Sequence, residues 1–383
     1  MRRALIGNAV LALLLTCGVT SAGAWHRGHT VIFAVVPNLP GNVPVSIEGL
    51  TVGPDGTVYA PSFGFNSKGE VLGPPHLFSF KPNGALLHDV ALVNTAATPQ
   101  PSAHLLGLVF QASTGSLLIC DLAQGIVWKA NPATGKSSVF MDTKLGGMSG
   151  LNALTFDPMG NLYVSDSFQG VIWKTGPHGG TPTKFVDSPT LSPQAGPGVI
   201  LIPPFGANGV EFNNQFTAMY VANTAYHSIV KVPVNLQSDG SVSVAGSAEV
   251  LTTGINAPDG IAVDSHDNLW VVANQEDEID VIDPNAALDG TGKTLAKVIA
   301  KRGDFQGISE NGTIRGLLFP ASPAFSLDER FLYVSNIALY LPFAGSPEPA
   351  IDSPWTLEVK HYTIAKIRAL IPPLHDQDDG ADQ

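Results

Sequence analysis

One hairpin, written six times, limits what this chain can become. Each copy enters an apolar strand of alternating period, turns at Gly, Asp or Asn, and returns as a second apolar strand ending in a small polar residue. The copies begin at Glu48, Leu106, Asn152, Asn208, Asp259 and Ser322, so successive starts lie 46 to 63 residues apart. Further strand-like runs follow inside the units, as at Val171-Ile172-Trp173-Lys174 and Ile229-Val230-Lys231-Val232. Four-stranded units of this length, repeated six times, predict an all-β fold, a six-bladed β-propeller, whose radial closure leaves few strand edges exposed. A solenoid would need more even spacing, and a pair of sandwiches has no reason to repeat one hairpin. Composition agrees: 40 Gly and 30 Pro supply the turns, 14 % charged residues exclude long exposed helices, and 44 % hydrophobic residues exclude a disordered chain.

Three segments follow from this reading. Residues 1–24 have the layout of a cleaved signal peptide: Arg2 and Arg3, an apolar Ala9 to Leu15, and Ala22-Gly23-Ala24 as the cleavage site. The protein is therefore expected to be secreted or periplasmic. No run reaches the length of a membrane span. Residues 25–370 are expected to form a single propeller, with Val31 to Val36 closing the ring against the last blade, beside Leu357 to Ile364. Residues 371–383 read as an acidic disordered tail. Three stretches, Ser62 to His76, Ser188 to Phe205 and Asn285 to Phe319, are expected as loops over the top of the ring. Cleavage leaves Cys120 as the one cysteine, and its apolar neighbours predict a buried thiol. A net charge of −12 gives no electrostatic footprint for nucleic acid. The expected partner is a small molecule and the expected state a monomer.

The six strand-start positions read Glu48, Leu106, Asn152, Asn208, Asp259, Ser322. In a propeller such positions surround one axis. Two carboxylates and two carboxamides among them supply converging oxygens, which suit a hard cation. The absence of His and Cys argues against a zinc-type set. A second column, Asp121, Asp166, Asn223, Asn274 and Asn336, repeats similar residues in five units and reads as structural turn hydrogen bonding.

Glu48-Gly49, Asn152, Asn208-Gly209 and Pro258-Asp259-Gly260 resemble the four-ligand metal site of the SMP-30/gluconolactonase/luciferin-regenerating-enzyme-like propellers, related to the calcium-dependent phosphotriesterases and paraoxonase-type lactonases. The resemblance covers essentially the whole expected mature chain. It implies that Glu48, Asn152, Asn208 and Asp259 hold one divalent cation, calcium first, with magnesium, manganese or zinc as alternatives. It also implies hydrolysis of a lactone or ester. Two positions depart from the family pattern: Ala153 stands where Asp is usual, and Gly150 where sugar-lactone members carry Arg. Both losses point away from a polar sugar lactone.

The chemistry expected is polarisation of a carbonyl and attack by water, with Asp259 or Glu48 as general base and His104 as a possible assistant. Phe63, Phe205 and Phe319 are candidates for an apolar wall, with packing as their more ordinary job. No G-x-S-x-G elbow, dinucleotide fingerprint or Walker loop is present. A non-catalytic NHL or YncE-like propeller and a strictosidine-synthase-like propeller are the competing functions, since fold alone does not choose among them.

Overall fold

A computed structural model describes residues 26–64, 72–193, 205–288, 290, 294–340 and 353–372. The expected signal segment, and the expected tail from residue 373, lie outside the described residues.

Period-two alternation produces antiparallel four-stranded blades in chain order. Blade one is Thr51–Val52, Val58–Pro61, His76–Phe80 and Leu86–Ala91. Blades two and three start from Leu105–Gln111 and Leu151–Phe156, four and five from Ala207–Phe212 and Pro258–Val263. Blade six starts from Pro320–Phe325 and continues through Phe331–Asn336 and Thr363–Arg368. These six inner strands contact one another in sequence, and the last returns to the first, which makes a propeller. A single bridge, Met141 to Gly180, ties the outer strands of blades two and three, so hydrogen bonding runs on between those two sheets.

The ring closes as expected, through an N-terminal strand. Thr30–Val35 pairs antiparallel with Thr363–Arg368, from Thr30 opposite Ile367 to Val35 opposite Thr363. The partner lies later than the expected 357–364, because alternation begins only at Thr363, after the short helix Ser353–Thr356. Buried Arg302 fastens the first and last described segments of the ring, donating to the carbonyls of His26 (2.9 Å), Ala369 (2.8 Å) and Leu370 (2.7 Å). The expected top loop Asn285 to Phe319 is corrected. Glu278–Leu288 and Thr294–Arg302 form an extended hairpin in blade five, followed by the small ladder Phe305–Ile308 with Ile314–Gly316. Alternating apolar residues along the returning arm, Leu295 to Ile299, favour pairing over a loop.

The core lies between neighbouring blades. Tyr163 and Ile172 of blade three, for example, pack with Val210, Val221 and Val230 of blade four. Two kinds of buried carboxylate fix the turns. Asp121 and Asp166 each accept the indole N–H of a tryptophan seven residues on, Trp128 (3.0 Å) and Trp173 (2.9 Å), together with loop donors. At opposite turns Asp157 holds Asn161 and Tyr163, and Asp264 holds Asn268 and Trp270. Cys120 is buried and free, and burial raises its thiol pKa, so it is an inert core group. Among the described residues no helix is long and apolar enough to cross a membrane.

Glycine sets how closely the inner strands approach. A Cβ on Gly49 would lie 2.2 Å from the Leu106 carbonyl oxygen, and one on Gly209 would lie 2.3 Å from that of Asp259. In blades one, two, four and five the inner strand thus presses a glycine against the next blade. Gly209→Ala is expected to cost about 3 kcal/mol of unfolding free energy through overpacking. Gly176→Ala, with no heavy atom within 4 Å of the added carbon, should stay within about 0.5 kcal/mol. Denaturant melts of the two variants measure the contrast.

Candidate functional site

Backbone hydrogen bonds give the register around the axis. The amides of Phe63, Leu122, Ser167, Thr224, Asn274 and Ile337 donate to the carbonyls of Ser46, His104, Gly150, Gly206, Ala257 and Phe319. These six pairs are equivalent stations. Two residues beyond each carbonyl lies an inner ring: Glu48, Leu106, Asn152, Asn208, Asp259 and Ala321. The blade-six member is therefore Ala321 rather than the expected Ser322: Pro320 pairs with Asn336 as Pro258 does with Ala273, and the ring residue follows one position later. The donors themselves form a second ring behind the first. Asn274 belongs to that ring and not with Asp121, Asp166, Asn223 and Asn336. Its structural assignment is corrected, since Ala273 is the residue opposite Pro258.

The two rings divide the channel mouth in half. In blades six, one and two they supply Ala321, Ile337, Phe63 and Leu106, with Leu122 packed alongside, all in one hydrophobic cluster that also holds Phe319. In blades three to five they supply Asn152, Ser167, Asn208, Thr224, Asp259 and Asn274, and Glu48 adds a carboxylate from blade one. Glu48, Asn152, Asn208, Asp259 and Asn274 are only 3 to 5 % exposed.

Hydrogen bonding settles which way the carboxamides face. Ser167 Oγ donates its one proton to the Ala207 carbonyl (2.8 Å), so it accepts from Asn152 Nδ2 (3.1 Å). Thr224 Oγ1 likewise donates to the Pro258 carbonyl (2.8 Å) and accepts from Asn208 Nδ2 (2.9 Å). The amide nitrogens are thus held against the blades, and the oxygens are free to face away from them. In blade five the inner residue is a carboxylate, and Asn274 Nδ2 donates to Asp259 Oδ2 (3.1 Å).

What remains is a surplus of acceptors. Glu48 Oε2, Asn208 Oδ1, Asp259 Oδ1 and Asn274 Oδ1 are buried with no hydrogen-bond partner. Burial raises the pKa of Glu48, and the charge of Asp259 raises it further. Burial also raises Asp259, against the lowering effect of the amides of Asn274 and Asn208. Two adjoining carboxylates and unpaired amide oxygens lack only a positive partner, and the set fits a hard divalent cation. Among the described residues no group of three or more His, Cys, Asp or Glu could hold a metal, so amide oxygens have to complete any such site.

His104 lies two residues before Leu106, on the apolar side, with its ring centroid 6.4 Å from that of Phe63. Phe63 and Phe319 are core residues. Phe205 instead meets Phe168 edge to face, with ring centroids 5.4 Å apart. A Cβ on Gly150 would fall 2.6 Å from the Phe168 ring, so this half-buried aromatic occupies the space a side chain at 150 would need. Phe168, which directly follows Ser167, was not legible as a site residue.

Below the rings the channel continues as a cavity of about 260 Å³, walled by residues such as Leu50, Leu108, Leu154 and Ile261. Glu211 is the ionisable group in its lining. It accepts from Thr155 Oγ1 (2.6 Å) and the Phe212 amide (2.9 Å), yet burial pushes its pKa to about 7. The folded state therefore holds this proton more tightly than the unfolded chain, and its contribution to stability falls as pH rises from about 4.5 to 7. Glu211→Gln should gain on the parent by up to about 3 kcal/mol between pH 5 and 8, measured as urea melts at both pH values.

The family description "SMP-30/Gluconolactonase/LRE-like region" matches residues 82–301, and the chain belongs to this family. No curated protein sequence matches it. Among solved structures, a luciferin-regenerating enzyme aligns with a TM-score of 0.57 at 13 % identity, covering 90 % of this chain and 96 % of that one. Regucalcin from Agrobacterium tumefaciens, described as a calcium-binding protein, aligns at 0.53 and 17 % identity, covering 90 % and 98 %. A gluconolactonase from Xanthomonas campestris aligns at 0.53 and 12 % identity, covering 90 % of each chain. At these identities the structures establish a shared propeller fold.

Asp259→Asn supplies a test with two opposite signs. In chelator the variant should melt above the parent, because one of two adjoining buried carboxylates is gone. Calcium at 100 times its Kd should stabilise the parent by about 2.7 kcal/mol and leave the variant unmoved. Calorimetry with and without calcium reads both effects.

Proposed function

We propose that this protein is a divalent-cation-dependent hydrolase of lactones or esters with a large apolar portion, and that it acts outside the cytoplasm. The observation that carries the reading is the group of buried, unpartnered oxygens on Glu48, Asn208, Asp259 and Asn274. Export rests on the arrangement of residues 1–24.

Glu48, Asn152, Asn208 and Asp259 would hold the cation. When bound, a hard divalent ion supplies Lewis-acid polarisation of a carbonyl oxygen. The chain's own residues divide the remaining work. Asp259 is steadied by the Asn274 amide and serves as the fixed anion. Glu48, the second buried carboxylate, is the proton acceptor. Water adds to the carbonyl carbon as its proton passes to Glu48. The same proton then returns to the departing alkoxide oxygen as the C–O bond breaks. Asn152 and Asn208 cannot rotate without breaking their bonds to Ser167 and Thr224, so their oxygens stay where they are needed.

Two observations support an apolar substrate. Phe168 fills the space beside Gly150, and Leu106 and Ala321 of the inner ring with Phe63, Leu122 and Ile337 of the second make one side of the mouth hydrocarbon. His104 stands on that apolar side, where it could meet a substrate rather than the anionic cluster.

The test is a screen of the purified protein against aliphatic, aryl and sugar lactones and aryl esters, with chelator and with added calcium. Turnover should be lost in chelator and restored by calcium, and Glu48→Gln should lower kcat by at least about 100-fold. Phe168→Ala should raise KM for aryl or long-chain substrates more than for sugar lactones. A protein whose melting ignores calcium, and which turns over none of these compounds, overturns the reading in favour of a non-catalytic propeller.

A further inference from the structure

We infer that Asn274 is a further oxygen donor of the cation site, a role that rests on the cation reading above. The argument begins with its station. In blades three and four the same position carries a hydroxyl, Ser167 or Thr224. Each accepts from an inner-ring carboxamide and passes its proton to the next blade's backbone, at Ala207 and Pro258. Each has its proton committed, and neither is among the buried groups without a partner.

Blade five breaks this pattern. Asp259 needs a donor behind it, which a hydroxyl could also supply, yet the residue present is a carboxamide. Its Nδ2 is committed to Asp259 Oδ2 at 3.1 Å, and its Oδ1 is buried with no partner. The two ends of one amide are about 2.2 Å apart, so that oxygen lies within about 5.5 Å of the Asp259 carboxylate. A buried, unsatisfied amide oxygen is unfavourable unless something binds it. Rotating the amide would set its oxygen against a carboxylate, so the orientation is fixed. The oxygen therefore joins those of Glu48, Asn208 and Asp259, whose common need is a cation. Asn274 would both position Asp259 through nitrogen and ligate through oxygen, a pairing that neither Ser167 nor Thr224 shows.

The experiment counts water on a bound ion. Europium(III) is added to the purified full-length protein, and its luminescence lifetimes in H2O and D2O give the number of coordinated waters. Calcium affinity is measured in parallel by titration calorimetry. Asn274→Ala should add about one water to europium and weaken calcium about tenfold. Asn274→Asp keeps an oxygen but loses the donor; it should retain the parent's water count and bind calcium at least as tightly. If alanine prevents folding, Asn274→Leu preserves volume and is read the same way.

An unchanged water count in both variants, with calcium weakened in both, would show that Asn274 only positions Asp259, and would overturn the inference. Unchanged water count and affinity in Asn274→Ala would overturn it as well. Binding that is abolished by Asp259→Asn but indifferent to Asn274→Ala leaves the cation reading standing and removes this one alone. A parent protein that takes up neither ion removes both.

Discussion

The close approach of neighbouring inner strands is the constraint from which the rest follows. In blades one, two, four and five the inner-ring residue is followed directly by glycine, whose missing side chain lets the next blade's backbone come within contact. A wider ring would separate Glu48 from Asp259 and admit enough water to satisfy both. At the observed spacing both carboxylates are buried, and the charge of Asp259 raises the proton affinity of Glu48. Packing thus creates the electrostatic problem that a bound cation relieves. Stability and function meet at the same seam, and part of the folding free energy is held back in unsatisfied oxygens.

The division of the mouth has a chemical consequence. Blades three to five and Glu48 present oxygens, and second-ring side chains fix Asn152, Asn208 and Asp259, while blades six, one and two present hydrocarbon. A substrate bridging both halves would be turned so that its polar group meets the acceptor cluster and its apolar portion meets the opposite wall. Orientation then comes from the layout of two rings and does not depend on a dedicated polar clamp. The Phe168–Phe205 pair extends the apolar character to the Gly150 side, within the otherwise polar sector.

The fold was legible because period-two alternation, repeated six times, is a strong signal that no single blade could have supplied. Glu48, Asn152, Asn208 and Asp259 were legible for the same reason: alignment of repeats converts sequence position into angular position about an axis. Registers at irregular strand ends were not. Ser322 was read for Ala321, and Asn274 was grouped with Asp121 and Asp166, because composition does not show which residue at a strand end takes the ring station; the pairs Pro320–Asn336 and Pro258–Ala273 do. A misplaced Asn274 hid the second ring, although Ser167 and Thr224 each stand one residue after a member of the aligned column. Glu211 could have been found by following the inner strand three residues beyond Asn208 to an inward-facing carboxylate. The extended hairpin of blade five was missed because its intervening Pro284, Asn285 and Gly290 look like loop residues.

Ring closure carries a burden of its own. The ladder between Thr30–Val35 and Thr363–Arg368 joins segments separated by almost the whole chain, so the loop entropy of forming it is paid late in folding. Until Thr363–Arg368 is available, the first strand is an unpaired edge carrying Val31, Ile32 and Val35, which remain substantially exposed even in the finished molecule. A nascent chain therefore displays a sticky strand for as long as the other blades take to form, and it can find a neighbouring copy before it finds its own terminus. The device that makes the finished ring continuous thus leaves its opening strand available for association until the last strand is in place.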